Sequence, residues 1–204
     1  MTSKPKGSEL LPRFAPLLSE VERSELDTSP DVTCGVFTND LVIGYVNEAW
    51  LAFGRANGAS KVWGVGDSLL GAISGPLRAF YAEKLASVPS LDPPAWEHDY
   101  ECSSPTLRRE FRLRALSLAG GAGLLITHSL RVERAHDVTH DRFVENSYRS
   151  TNGIVTQCGH CRRVRRVVAP FDWEWAPELV ARPPAMLSHG LCGVCLAYYF
   201  GPGA

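Results

Sequence analysis

No apolar run in this sequence approaches the ~20 residues that a membrane-spanning helix needs, so a spanning helix is not expected. The first residues, Met1 to Phe14, lack the apolar core and small-residue cleavage site of a secretory signal. The expected compartment is therefore the cytoplasm, where thiols stay reduced. The formal net charge is only −1, so no whole-molecule field draws the chain to nucleic acid or to an anionic membrane. Catalytic fingerprints are missing as well. There is no Gly-x-Ser-x-Gly, no P-loop and no kinase, cyclase or receiver pattern, and Gly64-x-Gly66 alone is too short to bind a dinucleotide. Ser188 and His189 are adjacent in sequence, which is poor geometry for a nucleophile and its base. No internal repeat is seen. The expectation is a non-enzymatic protein.

What is present is enough apolar material for a core, at 45% hydrophobic and 21% charged residues, together with six cysteines. Four of these form two C-x2-C pairs, Cys158-Gly-His-Cys161 and Cys192-Gly-Val-Cys195. Two residues between thiolates let a tight turn aim both sulfurs at one point, and two such turns complete a tetrahedron around a filled-shell cation. The spacing therefore predicts a structural zinc held by Cys158, Cys161, Cys192 and Cys195, with no open position for catalysis by the metal. Four thiolates also fit an iron–sulfur cluster, or two redox-active dithiols or disulfides. Covalent haem does not fit, because neither pair is followed by His. His160 and His189 are variant ligands that could replace one thiolate, and His189 could instead support the second turn by hydrogen bonding.

Four segments are expected. Residues 1–29 read as a loose Pro-containing leader, followed by a short helix over Leu17 to Leu26. Residues 30–133 alternate as two strands, several helices and three strands. The hairpin is Cys34 to Val46 with its turn at Asn39-Asp40. Asn47 caps a helix over Glu48 to Ala56, which stops at Asn57-Gly58, and a second helix runs from Pro76 to Ser87. The return strands are Trp96–Cys102, Glu110–Leu118 and Leu124–Val132, with Leu124, Ile126, His128, Leu130 and Val132 on one face. This order predicts an α+β fold, a five-stranded antiparallel sheet with helices on one face. Residues 134–157 read as a charged connector with a helical stretch over Asp141 to Tyr148, and 158–204 as a compact cysteine-bearing module.

The strand pair, the run Tyr45-Val46-Asn47-Glu48-Ala49-Trp50, the turn Gly66-Asp67-Ser68-Leu69 and the three-stranded return resemble a PAS sensory domain. Tyr100-Glu101-Cys102-Ser103-Ser104-Pro105 is similar to a signature in one bacterial PAS subgroup, with Ser103 where that subgroup usually shows His. The C-terminal string runs from Cys158-x-x-Cys161-Arg-Arg-Val-Arg through Trp173 to Ser188-His189-Gly190-Leu191-Cys192-x-x-Cys195 and Tyr198. It resembles a zinc-ribbon-like module that follows PAS or receiver domains in bacterial signalling proteins. Here Val164 stands in place of the usual Ile, and Arg166-Val-Val replaces acidic residues. Together the resemblances imply a bacterial sensory or signalling protein that acts by protein–protein contact.

Arg162, Arg163, Arg165 and Arg166 form a basic run beside the first cysteine pair, suited to nucleic acid, to a partner protein or simply to solvent. Trp50, Phe53, Phe80, Tyr81, Phe111 and His128 are either core or the lining of a small-ligand pocket. His128 is either a satisfied buried histidine or a haem ligand. Cys34 and Cys102 read as small buried hydrophobes. The expected partner is another protein, with a second copy as an option through the N-terminal helix or the PAS-like sheet. A redox- or metal-responsive regulator, in which the four thiolates are themselves the sensor, and a DNA-associated transcription regulator are the other readings.

Overall fold

The computed structural model describes residues 8–18, 23–57, 61–136 and 143–202. The chain divides into two compact units, the first comprising residues 1–72, 81–99 and 111–130 and the second residues 73–80, 100–110 and 131–204. In chain order the first elements are β1 (Glu9–Leu10), α1 (Arg23–Thr28), β2 (Val32–Phe37), β3 (Ile43–Val46) and α2 (Glu48–Ala56). They are followed by α3 (Leu77–Ser87), β4 (Ala95–Glu101), β5 (Leu107–Leu118) and β6 (Gly123–Ala135). Among the described residues the fold is mixed α+β, and six strands make one antiparallel sheet in the order β1-β3-β2-β6-β5-β4.

β2 and β3 pair with Cys34 opposite Val46 and Gly35 opposite Tyr45, and the register shifts between Gly35 and Val36. At the turn, the Asp40 carboxylate accepts from Val42 N–H at 2.9 Å, which closes the loop locally. The Gly66–Leu69 turn is stitched to the same hairpin by Gly66 N–H to Ile43 O (2.8 Å), Ile43 N–H to Asp67 O (2.8 Å) and Leu69 N–H to Leu41 O (2.9 Å). Gly66 sits at φ 89°, a backbone conformation that glycine adopts without a steric cost.

Strand alternation places side chains on two faces. On one face Cys34, Val36, Leu124 and Ile126 are fully buried, and Trp50 and Phe53 of α2 reach the rings of His128 and Phe111 on that side. On the other face Phe14, Leu18, Tyr45, Leu118 and Leu125 form a second core. The stretch expected as a loose leader is therefore structured over residues 8–18. It supplies β1, so the sheet has six strands rather than the expected five, and it buries Phe14 completely. Two residues of strand are too few to leave a periodic signal, which is why the leader looks featureless in sequence. The helix expected over Leu17–Leu26 is instead a 3-10 turn at Ala15–Leu18 and α1, and its residues 19–22 lie outside the described residues. The end of β6 also departs from expectation. Leu130 is 48% and Val132 38% exposed, although both share the alternation of the buried Leu124 and Ile126.

Asn47 is fully buried and organises the junction of β3 and α2. Its side-chain oxygen accepts from Trp50 N–H (3.0 Å), capping the helix, and from Thr33 N–H (3.1 Å). Its amide donates to Asp31 O at 2.8 Å and Leu26 O at 3.2 Å.

The second unit contains β7 (Val155–Cys158), β8 (Val164–Arg165), β9 (Trp173–Glu174), α4 (Pro177–Ala181), β10 (Leu187–Gly190) and α5 (Gly193–Phe200). Four of its strands form a small sheet in the order β10-β7-β8-β9. Tyr148, Val155, Val164, Ala176 and Leu179 make its apolar core. At its rim the Tyr148 hydroxyl donates to Glu174 (2.5 Å), which also accepts from Arg166 (3.1 Å). The helix expected over Asp141–Tyr148 is a 3-10 turn at Glu145–Ser147, and residues 137–142 lie outside the described residues. Among the described residues no helix is long and apolar enough to cross a membrane.

Candidate metal centre

β7 and β10 are far apart in sequence and run parallel, with Leu187 opposite Val155 and Gly190 opposite Cys158. This pairing carries the end of one strand, where the first cysteine turn begins, to the end of the other, where the second begins. Gly159 N–H donates to Gly190 O (2.8 Å) and extends the ladder into the turn itself. The first turn then closes on its own backbone. Arg162 N–H donates back to Cys158 O (3.1 Å), and Cys158 N–H donates to Arg163 O (2.8 Å). Arg162 holds the left-handed φ of 60° that this closure requires. The second turn opens a helix. Cys192 occupies the N-cap of α5, and its carbonyl accepts from Leu196 N–H (2.8 Å).

The outcome is a single cluster. The sulfurs of Cys158, Cys161, Cys192 and Cys195 all lie within 4.8 Å of one another and all four residues are buried, so the group could hold a metal ion such as zinc. Trp173 and Leu191 pack against it and shield it from water. Cys192 N–H points at the Cys158 sulfur from 3.5 Å, a backbone donor that favours a thiolate. Burial works against the charged form of Arg163, but the nearby charge of Cys161 outweighs it and raises the guanidinium pKa. Four thiols this close cannot all ionise without a cation. Contacts from Cys161, Cys192 and Cys195 hold the Cys158 thiol far below its usual range, while contacts with Cys158, Cys161 and Cys192 push that of Cys195 far above it. A bound dication removes this conflict by stabilising every thiolate at once.

Neither histidine joins the cluster. His160 lies within the first turn, but its Nδ1 is 2.7 Å from the Tyr199 hydroxyl. His189 lies on β10 opposite Gln157, with Gly75 close by: a Cβ built on Gly75 would stand 3.0 Å from that of His189. Burial and the nearby Arg162 hold the His189 imidazole below its ordinary value.

The remaining candidates are distributed. Within the first unit Trp50 meets His128 at a ring distance of 6.0 Å, Phe53 meets Phe111 at 5.5 Å, and Tyr81 meets Trp96 at 6.0 Å and His98 at 5.9 Å. Within the second, Phe80 packs on Tyr199 at 4.9 Å. His128 Nε2 is closed off from solvent, and burial lowers the imidazole pKa to about 4, so the ring is neutral at pH 7. Cys34 is completely buried and its thiol is pushed up by burial, which leaves it inert. Burial also raises the half-buried Cys102, against the pull of Arg162 and Arg109. The arginine run does not form one surface. Arg162 turns inward to Ser103 O (2.8 Å) and Val180 O (3.4 Å), and Arg166 pairs with Glu174. Arg163 and Arg165 are left exposed.

Sequence reasoning missed the His160–Tyr199 contact. The available signal was the four-residue spacing of Cys195 and Tyr199, which puts both on one face of a helix. No protein-family model matches the chain and no curated protein matches it.

Proposed function

We propose that this chain is a non-enzymatic signalling module in which a PAS-like sensory domain is joined to a small domain organised by one structural zinc ion, and that it acts through contact with another protein. The observation that carries the reading is the convergence of the four sulfurs. Zn–S bonds of about 2.3 Å in a tetrahedron place neighbouring sulfurs roughly 3.8 Å apart. The Cys161 and Cys192 sulfurs are separated by 3.8 Å. A shell of four thiolates leaves no position for water or substrate, so the metal's role is to fold the chain around it. Two of the four strands that surround the site are two residues long. Elements that short cannot hold a sheet by burial alone, and a structural zinc supplies roughly 10–16 kcal/mol.

The sensory reading is supported by the order of elements: a hairpin, an Asn-capped helix, the Gly-Asp-Ser-Leu turn and three returning strands. Protein contact is supported by the apolar residues that α5 exposes. Val194 is 76% and Tyr198 53% exposed on a helix that carries no charged side chain. The test is metal analysis coupled to affinity capture from the native cell, with the full chain and a variant in which all four cysteines are Ser. The reading predicts one zinc per wild-type chain and a protein partner retained by wild type but lost from the variant. A metal-free wild type, an iron–sulfur absorbance or a captured nucleic acid would each overturn it.

A further inference from the structure

The β7–β10 ladder fixes only one side of the cysteine cluster. It ends at Gly190 opposite Cys158, so it sets the position of Cys158 and the entry to Cys192. Cys195 is carried one turn into α5, beyond the reach of that ladder. Its sulfur is placed by the rotation of α5 about its own axis. Tyr199 stands four residues after Cys195, on the same helix face, and both are buried. The Tyr199 hydroxyl meets His160 Nδ1 at 2.7 Å, and the two rings lie 5.1 Å apart, edge to face. His160 belongs to the first cysteine turn, between Cys158 and Cys161. Phe80 also packs edge to face on the Tyr199 ring, at 4.9 Å.

We propose that the His160–Tyr199 hydrogen bond is a latch between the two cysteine turns that holds α5 in the rotation presenting the Cys195 sulfur, and so sets how fast metal leaves the site. Cys195 is the ligand that departs first when the latch opens. The proposal rests on the metal reading given above. His160 and Tyr199 act through Cys195 and are positioning residues, not ligands. Partners of this kind govern metal affinity by roughly 10- to 100-fold through the orientation of the group that binds.

The experiment loads the full chain with zinc or cobalt and follows metal transfer to a chromophoric chelator. Tyr199→Phe keeps the ring against Phe80 and removes only the hydroxyl. It should release metal roughly tenfold faster than wild type while binding one ion with an unaltered tetrathiolate cobalt spectrum. His160→Ala should match it. His160→Asn, which keeps a polar atom near the place of Nδ1, should recover most of the loss. In a Cys195→Ser background the Tyr199→Phe change should add nothing further, because the ligand it positions is gone. Wild-type release rates in Tyr199→Phe, or an undiminished effect in the Cys195→Ser background, overturn the latch and leave the metal site standing. A wild-type chain that binds no metal overturns the site itself, and the latch with it.

Discussion

The ring of Phe14 occupies the space that a side chain on Gly44 would need. A Cβ built there would lie 2.3 Å from Phe14 Cδ2, and one on Gly35 would lie 2.4 Å from Cε1. Neither glycine has a positive φ, so it is close approach rather than backbone freedom that requires them. Gly44→Ala should therefore destabilise the first unit by about 1–3 kcal/mol, through overpacking, and Phe14→Ala by about 3–5 kcal/mol, through the cavity it leaves. Combining Gly44→Ala with Phe14→Ala should cost less than the sum of the two single changes, because the ring that the added methyl meets is gone. Urea unfolding of the four proteins checks this, and strictly additive losses would contradict the packing relationship.

Asn47 offers a second test, because its two side-chain atoms do different work. Its oxygen accepts two backbone N–H groups, and its nitrogen donates to backbone carbonyls, the nearest at 2.8 Å. Aspartate is as good a helix cap as asparagine on an open surface. Here Asn47→Asp sets a carboxylate oxygen against carbonyl oxygens in a buried place, so it should destabilise by about 2–4 kcal/mol, no less than Asn47→Ala. Thermal unfolding of the two variants side by side decides it. A near-neutral Asn47→Asp would show that the amide donors are dispensable.

Asn47 and Phe14 differ in how much of their role the amino-acid sequence carries. The capping role of Asn47 was legible, because an Asn before an apolar helix with Glu48 in its first turn is a local pattern. So were the hairpin around Asn39-Asp40, the α3 helix with Leu77, Tyr81 and Leu85 at four-residue spacing, and the three returning strands. Phe14 was not legible. Its burial depends on glycines at 35 and 44, and in sequence those look like weak points of a strand rather than the floor of a pocket. The exposure of Leu130 and Val132 was also hidden, since alternation reports which face a residue takes and not where the covering layer ends. The clustering of Cys158, Cys161, Cys192 and Cys195 followed from spacing alone. The parallel pairing that joins them is long-range and leaves no trace in the chain, as does the inward turn of Arg162 that breaks up the basic run.

His128 predicts a pH dependence. Its folded pKa, about 4, lies below the ordinary value of 6.5 because burial disfavours the charged ring. Between these values the unfolded chain binds a proton that the folded chain does not, so folding stability falls as pH drops below about 6.5 and levels off below about 4. Between pH 7.5 and pH 5 the wild type should lose about 2 kcal/mol more than His128→Gln does. Denaturant titrations of both proteins at the two pH values test this. Equal losses would show that the imidazole is not held neutral by its surroundings.

Stripping the metal should separate the two units in stability. Chelation should abolish cooperative unfolding of the second unit and leave that of the first largely intact, because the first buries Phe14, Tyr45 and Leu125 on one side of its sheet and Cys34, Val36 and Ile126 on the other. Hydrogen exchange with and without chelator checks this by region. Protection of Val155 to Cys158 that survives metal removal would contradict it.

The most direct test of the account is the zinc X-ray absorption spectrum of the purified chain. One zinc per chain, with four sulfur neighbours at about 2.3 Å and no nitrogen, is the result predicted. A shell that mixes sulfur with histidine nitrogen, or a chain that purifies without zinc, would contradict it.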